Sequence, residues 1–292
     1  MLSIVIPTYN YDCTALLAQL RKQALASTIP LEIIVCDDAS TSIQEQNATA
    51  SFCAEHGIRF IQNTNNLGRT ATRNKLALTA QYDWLLFLDS DVLPISREFI
   101  TTYNTYLDSS YDAVIGGIQY EKAKPESAYA LRWKFGIKRE ARIPDQRNVH
   151  PYLLASGNFL IKKSAFLIAN AFLGNNYGLD AFFGYQLKKL QTQVLHIDNP
   201  VYHLGLETNE EFLSKSVSAL RTIVALENKN LLADNHTRLQ QIYQSTPAKK
   251  LLKTVLGTFQ KPIEKNLLGS RPLLFLFDFY RLYHYLNFKI NA

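Results

Sequence analysis

Residues 84–88, Trp-Leu-Leu-Phe-Leu, form an unbroken apolar run that stops on two carboxylates, Asp89 and Asp91, with Ser90 between them and Pro94 close behind. Five residues are far too few for a bilayer, which a helix crosses in about 20. The run has no polar alternation, so it reads as a strand covered on both faces, as strands inside a parallel sheet are. Pro94 then blocks its continuation. Two aspartates at the end of a buried strand repel each other and resist desolvation unless a cation or donor groups offset the charge. Acidic residues also open turns and cap helices, so the tripeptide alone leaves a metal site and a plain turn both open.

The chain before this run alternates strand and helix signals. Residues 2–6, 31–36 and 58–61 are short apolar strands, and residues 14–25, a segment up to His56 and residues 69–80 carry helical spacing. Strands alternating with helices of this length specify a parallel, doubly wound sheet with right-handed crossovers. Open sheets of this kind bind ligands beyond the carboxyl ends of their strands. Polar residues collect at those ends: Pro7-Thr-Tyr-Asn10, Asp37-Asp-Ala-Ser40, Asn63 to Arg69, and Asp89-Ser-Asp91. Two of the four carry paired carboxylates directly after a β run, which a turn does not require. Neither a GxGxxG fingerprint nor a P-loop is present, which argues against a dinucleotide or Walker site.

The second half is less regular. A helix-like segment runs from Pro94 to Leu107, and an apolar run at 113–118 contains Gly116-Gly117. Residues 120–152 have weak periodicity and mix aromatics with basic residues, which suits a solvated helix and loop or a mobile acceptor-binding lid. A strand pattern resumes over 153–161, interrupted by Ser156-Gly157-Asn158, where glycine permits close backbone approach to a ligand. Residues 175–189 open in a turn and continue as a helix with Asp180 near its start, and 194–197 is a last strand before Pro200-Val-Tyr-His203.

Charge is concentrated at the C-terminus. Eight of the 31 Lys/Arg and two of the 25 Asp/Glu lie in residues 249–292, which leaves 23 of each in the remainder. The body is therefore neutral, and a sequence pI near 9.0 gives no reason to expect a nucleic-acid partner. Cys13, Cys36 and Cys53 lack CxxC or Cys/His spacing, so no disulfide framework or zinc site is indicated, and a reducing compartment fits. The N-terminus does not read as a signal peptide, so a cytoplasmic location is expected. Residues 273–289 place Asp278, Arg281, His284 and Asn287 in a polar stripe on an otherwise apolar, aromatic helix. With the lysines at 249, 250, 253, 261 and 265, this suggests a peripheral helix on an anionic membrane surface; the alternative is a terminal helix packed on the protein.

The ordered motifs Ser3-Ile-Val-Ile-Pro-Thr-Tyr-Asn10, Ile34-Val-Cys-Asp-Asp-Ala-Ser40, Asn66-Leu-Gly-Arg69 with Arg73-Asn74, Phe87-Leu-Asp-Ser-Asp91, Ser156-Gly-Asn-Phe-Leu160, Gly178-Leu-Asp180 and Val201-Tyr-His203 resemble those of family 2 glycosyltransferases over about residues 2–205. That resemblance implies an α/β GT-A fold, with a Rossmann-like, mostly parallel sheet flanked by helices. It implies a catalytic domain at 1–210, with a nucleotide-binding half at 1–94 and an acceptor half at 95–210. A helical basic and aromatic extension at 211–292 follows. The implied reaction is inverting transfer from a nucleotide sugar, a UDP-sugar in the first instance, to a hydroxyl of a glycan or lipid-linked polysaccharide precursor.

Carried over position by position, the resemblance implies that Pro7, Thr8 and Tyr9 line the nucleotide pocket and that Asp38 or Asp37 accepts hydrogen bonds from base or ribose. Asn66, Arg69, Arg73, Asp89, Ser90, Gly157 and Asn158 would complete the donor site. Asp91, the last residue of the Asp-x-Asp motif, would ligate Mn²⁺ or Mg²⁺, with His203 as a further ligand. Asp180 is the implied general base. The family pattern has an acidic pair there and this chain has Leu179-Asp180, so one carboxylate remains. A catalytically inactive sugar-nucleotide-binding scaffold and a nucleotidyltransferase of related fold are the rival readings.

Overall fold

The computed structural model describes residues 1–171 and 174–291. Within it the chain forms two compact units and passes between them more than once. One unit comprises Met1–Gln119, Ala141–Asn175 and Gln186–Gly205; the other comprises Tyr120–Glu140, Asn176–Tyr185 and Leu206–Ala292.

The first unit holds every strand described: β1 (Leu2–Thr8), β2 (Leu31–Asp37), β3 (Arg59–Gln62), β4 (Trp84–Leu88), β5 (Val92–Pro94), β6 (Ala113–Ile115), β7 (Ile118–Gln119), β8 (Asn158–Lys162), β9 (Val194–His196) and β10 (Val201–His203). Seven form one sheet in the order β3-β2-β1-β4-β8-β6-β9. Helices α1 (Thr14–Leu25), α2 (Ile43–Glu55) and α3 (Arg69–Thr79) connect the first four strands, which are mutually parallel. The chain steps outward from β1 to β3 and then returns across β1 to lay down β4, so the order reverses between β1 and β4. A crevice opens at such a reversal, beyond the carboxyl ends of the two strands. All five residues of β4 are buried, as the continuous apolar run requires.

Two registers aim the later segments at that crevice. β8 runs antiparallel to β4 with Leu88 opposite Asn158, which sets Gly157 against Asp89. A small sheet, β5-β10-β7, pairs Val92 with His203 antiparallel, which sets Asp91 against Leu204. The apolar run at 113–118 is split into β6 and β7 at its two glycines. A Cβ on Gly116 would lie 2.3 Å from the Tyr103 hydroxyl and 2.4 Å from the Asn199 carbonyl, so only glycine fits there.

Helices α4 (Phe99–Asn104), α5 (Ala130–Phe135), α6 (Pro144–Asn148), α7 (Lys163–Ala169) and α8 (Leu179–Lys189) follow in chain order. The helix after Pro94 is thus shorter than its sequence suggested, and the strand expected over 153–161 begins only at Asn158. The weakly periodic stretch 120–152 divides between the units. Its first part, α5 and a π-helical turn at Gly136–Glu140, belongs to the second unit.

That unit continues through α9 (Asn209–Asn228), α10 (Arg238–Ser245), α11 (Lys249–Thr258), α12 (Gln260–Leu267) and α13 (Leu274–Asn291). Thr208 and Glu211 form a reciprocal capping box at the start of α9. Leu131, Leu213, Ile263, Leu267, Phe277 and Tyr280 form one core, and Leu256, Leu282 and Leu286 form another. α13 therefore buries much of its surface in this unit. Its stripe is partly spoken for, since Asp278 accepts from Arg139 at 2.8 Å and His284 meets Gln260 at 3.1 Å.

Candidate donor and metal site

Asp89 leaves β4 into a ring of donors. Its carboxylate accepts from the Nη2 of Arg69 and the Nη2 of Arg73, each at 2.7 Å, while its backbone N–H donates to the Gly157 carbonyl at 3.1 Å. Arg69 and Arg73 are four residues apart on α3 and so project from one face. Arg73 is buried over the Phe87 and Phe159 rings, at 5.8 and 5.5 Å from their centroids, and also donates to the Ser156 carbonyl at 2.5 Å. The Arg69 side chain is 44% exposed and also reaches the Ser156 hydroxyl at 3.0 Å. Burial pushes the Asp89 carboxyl upward, but the two guanidiniums outweigh it and hold the group below the ordinary carboxylate range.

Asp91 has the opposite balance. Burial raises its pKa, the His203 ring lowers it, and the Asp89 charge raises it again, leaving it above the ordinary value. The Nε2 of His203 stands 3.4 Å from Asp91 Oδ2, and the Leu204 N–H donates to the Asp91 carbonyl at 2.8 Å. A Cβ on Gly205 would sit 2.2 Å from Asp91 Oδ2, so glycine is what keeps that oxygen clear. A carboxylate short of positive charge and a facing imidazole suit a divalent cation. Among the described residues no group of three or more His, Cys, Asp or Glu side chains is placed to hold a metal. Asp91 and His203 are the residues that would hold such a cation.

The neighbouring strand ends are built as a braced rim. Thr8 is buried and its hydroxyl donates to the Tyr11 carbonyl at 3.1 Å, whereas Tyr9 is exposed and Pro7 half-buried. Asp37 accepts from the Ser40 N–H, the Ser40 hydroxyl and Gln46 Nε2; Asp38 accepts from Asn63 Nδ2 at 2.7 Å and from the N–H groups of Leu67 and Gly68 at 2.9 and 2.8 Å. Each of these carboxylates therefore already receives three protein hydrogen bonds. Asp38 shapes the loop that leads into α3, and so positions Arg69 and Arg73. Between them and Ser40, Ala39 adopts φ +58°, a conformation unfavourable for a residue with a Cβ.

The other expected residues are spread more widely. Ser90 is half-buried beside the two aspartates. Asn66 is exposed and accepts from Asn175 at 3.2 Å. Asn158 is fully buried, with its amide bonded to the Gly117 and Asn199 carbonyls and to the Tyr103 hydroxyl, so its polar atoms are committed to the protein. Gly157 faces Asp89, and a Cβ there would stand 3.1 Å from Oδ2. Asp180 lies in the first turn of α8 and belongs to the second unit; its neighbour Leu179 is buried.

Three participants were not singled out as site residues in the sequence. Ser156 receives both arginines, a role hinted at only by the glycine beside it. Asn10, with φ +51°, accepts from the N–H groups of Thr41 and Ser42 at 2.8 and 3.0 Å and ties two strand ends together. Gly205 could be suspected only from being a glycine two residues beyond His203.

A parallel sheet whose reversal carries an aspartate pair is the frame of GT-A glycosyltransferases, and solved structures of such enzymes share it. The mannosyltransferase PcManGT from Pyrobaculum calidifontis, in complex with GDP-Man and Mn²⁺, is similar at a TM-score of 0.55 and 15% identity, covering 99% of this chain and 86% of that one. Residues 1–349 of S. aureus TarS give 0.52 and 19%, covering 99% and 90%. Glucosyl-3-phosphoglycerate synthase from Mycobacterium tuberculosis, in complex with Mn²⁺, UDP and glucosyl-3-phosphoglycerate, gives 0.51 and 16%, covering 80% and 81%. At these identities the likeness is one of fold. The chain belongs to glycosyl transferase family 2, whose sequence model it matches over residues 3–167. An uncharacterized glycosyltransferase of Haemophilus influenzae is 38% identical over 93 residues, which span 31% of this chain and only 29% of that protein.

Proposed function

We propose that this protein is a metal-dependent, inverting glycosyltransferase that moves a sugar from a nucleotide-sugar donor, in the first instance a UDP-sugar, to a hydroxyl of a glycan or lipid-linked polysaccharide precursor at the cytoplasmic face of a membrane. The observation that carries this reading is the unequal environment of the aspartate pair: Asp89 is neutralised by Arg69 and Arg73, while Asp91 has no arginine partner in hydrogen-bond reach among the described residues and faces His203, with room for its Oδ2 only because residue 205 is glycine. One carboxylate is equipped to position a donor and the other to hold a cation. Family 2 membership and the GDP-Man, UDP and Mn²⁺ complexes of fold neighbours support the same assignment.

The chemistry follows the movement of charge. Mn²⁺ or Mg²⁺ held by Asp91 and His203 would supply Lewis-acid neutralisation of the departing diphosphate. Arg69, half-exposed beside Asp89, offers a guanidinium to the same phosphates. Asp180 takes the proton of the acceptor hydroxyl on a carboxylate oxygen, as general base. The oxygen lone pair then attacks the anomeric carbon from the face opposite the diphosphate, and the anomeric C–O bonding pair leaves with the nucleotide.

Nucleotide release from a panel of nucleotide sugars, with Mn²⁺ and with chelator, tests the reading. Turnover of one donor that chelator abolishes, and that Asp180→Asn lowers by about 10²–10⁴, is the expected result. Tight donor binding without turnover would favour a sugar-nucleotide-binding scaffold instead.

A further inference from the structure

The second unit leaves an apolar strip uncovered. On α11, Leu251 and Val255 are 65% and 46% exposed, and Phe259 just beyond it is 57% exposed; on α13, Phe275 and Phe279 are 54% and 44% exposed. These are not isolated surface residues. Lys253 Nζ meets Asn291 Oδ1 at 3.3 Å, and a Cβ on Gly257 would contact the Tyr283 ring at 3.3 Å, so α11 and α13 lie antiparallel. That register leaves Phe259 within about one helical turn of Phe279. Spacings of four residues along each helix, 251-255-259 and 275-279, place each set on one face. Leu256, Leu282 and Leu286 form a buried cluster between these two helices, and Phe275 and Phe279, each seven residues before Leu282 or Leu286, continue that side of α13 past the cluster into solvent.

The surrounding charge is mainly positive, with eight Lys/Arg against two Asp/Glu in residues 249–292. Lys250, Lys261 and Lys265 are exposed, the last two four residues apart on α12. Of the two carboxylates in 249–292, Asp278 is paired with Arg139 at 2.8 Å, and Glu264 is exposed between Lys261 and Lys265. Among the described residues no helix is long and apolar enough to cross a membrane. Exposed aromatic side chains on a lysine-rich segment whose helices are too short or too polar to span are the pattern of an interfacial contact. A second copy of the chain is a poorer occupant, since a twofold contact here would bring two copies of a strongly basic segment together.

We infer that the face formed by α11, the end of α11 at Phe259, and the first turns of α13 docks on an anionic lipid surface, inserting Leu251, Val255, Phe259, Phe275 and Phe279 at headgroup depth while Lys250, Lys261 and Lys265 meet lipid phosphates. This deepens the membrane-face part of the proposed function and rests on it for its setting. Vesicle binding needs no turnover, and nucleotide release in solution needs no vesicles, so either reading can fail alone.

The test is sedimentation of the full chain with phosphatidylcholine vesicles, with and without phosphatidylglycerol, at low and high salt. Binding to the anionic vesicles only, weakened by salt, is expected. Lys250→Gln, Lys261→Gln and Lys265→Gln together should weaken it about 100-fold, near fivefold per lysine. Phe259→Ser, Phe275→Ser and Phe279→Ser together should weaken it at least about tenfold. Because all six side chains are exposed, both variants should keep the parent circular dichroism spectrum and melting temperature. Absence of binding to anionic vesicles, equal binding to neutral ones, or indifference to both variants would overturn the inference. So would a dimer in analytical ultracentrifugation that the phenylalanine variant abolishes, which would assign the strip to a second copy.

Discussion

Arg69 and Arg73 reach the same carboxylate from the same helix face, but their burial separates their roles. Arg73 is enclosed by Phe87 and Phe159 and bonds both Asp89 and the Ser156 carbonyl, so Arg73→Ala removes one partner of a desolvated pair and leaves the other. Chemical denaturation should register a loss of about 3 kcal/mol. Arg69→Ala removes a half-exposed partner and should cost under about 1 kcal/mol of stability, while donor affinity measured by calorimetry falls clearly. Equal stability losses in the two variants would refute this division. The same logic applies across the crevice. Gly205→Ala would force a methyl group onto Asp91 Oδ2, at 2.2 Å before relaxation. Mn²⁺ affinity, read by calorimetry with nucleotide present, should drop by more than about tenfold with the melting temperature little changed; unchanged affinity would remove Asp91 Oδ2 from the metal site. Asp91→Asn should lose the metal at least as completely. Asp89→Asn should retain it and lose donor affinity instead.

At the level of elements, β9 and α6 are joined through a histidine whose protonation state the packing dictates. His196 Nε2 lies 2.9 Å from the Pro151 carbonyl and so carries the proton, while Nδ1 accepts from Arg147 Nη1 at 3.0 Å. A second proton on Nδ1 would face a guanidinium. Burial, with that guanidinium, pulls the pKa from 6.5 down to about 4. The folded value lies below the unfolded one, so the unfolded chain binds the proton first. Stability is complete above about pH 6.5 and falls as pH drops towards 4, by on the order of 3 kcal/mol. Urea unfolding across that range should show the decline, and His196→Gln should flatten it; parallel curves for the two proteins would exclude His196 as the cause. Nothing in the sequence announces this contact. The strands β1 to β4 are legible because each is an apolar run ending on polar residues, and the resemblance at 87–91 and 201–203 drew attention to Asp89, Asp91 and His203, which the structure places together. The strands β5, β7 and β10 have three residues or fewer, too short for any periodicity, yet their pairing is what brings His203 and Gly205 to Asp91. Arg147 is equally silent: it is an unpatterned basic residue whose partners are the His196 ring and the backbone carbonyls at 115, 116, 142 and 197.

On the scale of the molecule, the family match ends at residue 167, but the second unit does not begin there. Leu131 lies within the matched stretch and packs into one core with Leu213, Ile263, Leu267, Phe277 and Tyr280. The polar stripe of α13 pointed in sequence to a surface helix, because helical periodicity shows which residues are apolar and not what covers them. In the structure the buried face of α13 closes a core begun some 140 residues earlier, and only its first turns present aromatic rings to solvent. The segment 249–292 is therefore as much an interior element as a docking surface, and the two roles make opposite forecasts for truncation. A detachable membrane anchor could be removed without harm to the fold. Ending the chain at residue 248 would instead strip Leu131 and Leu213 of four large buried neighbours, each contributing roughly 1.5–3 kcal/mol by burial, against a total stability of about 5–15 kcal/mol for a typical domain. Hydrogen exchange on the shortened protein should then show α5 and α9 exchanging near unfolded rates while β1, β2 and β4 keep their protection. Retained protection in α9 would mean that the second unit stands without its last three helices, and that the core formed by Phe277 and Tyr280 is dispensable.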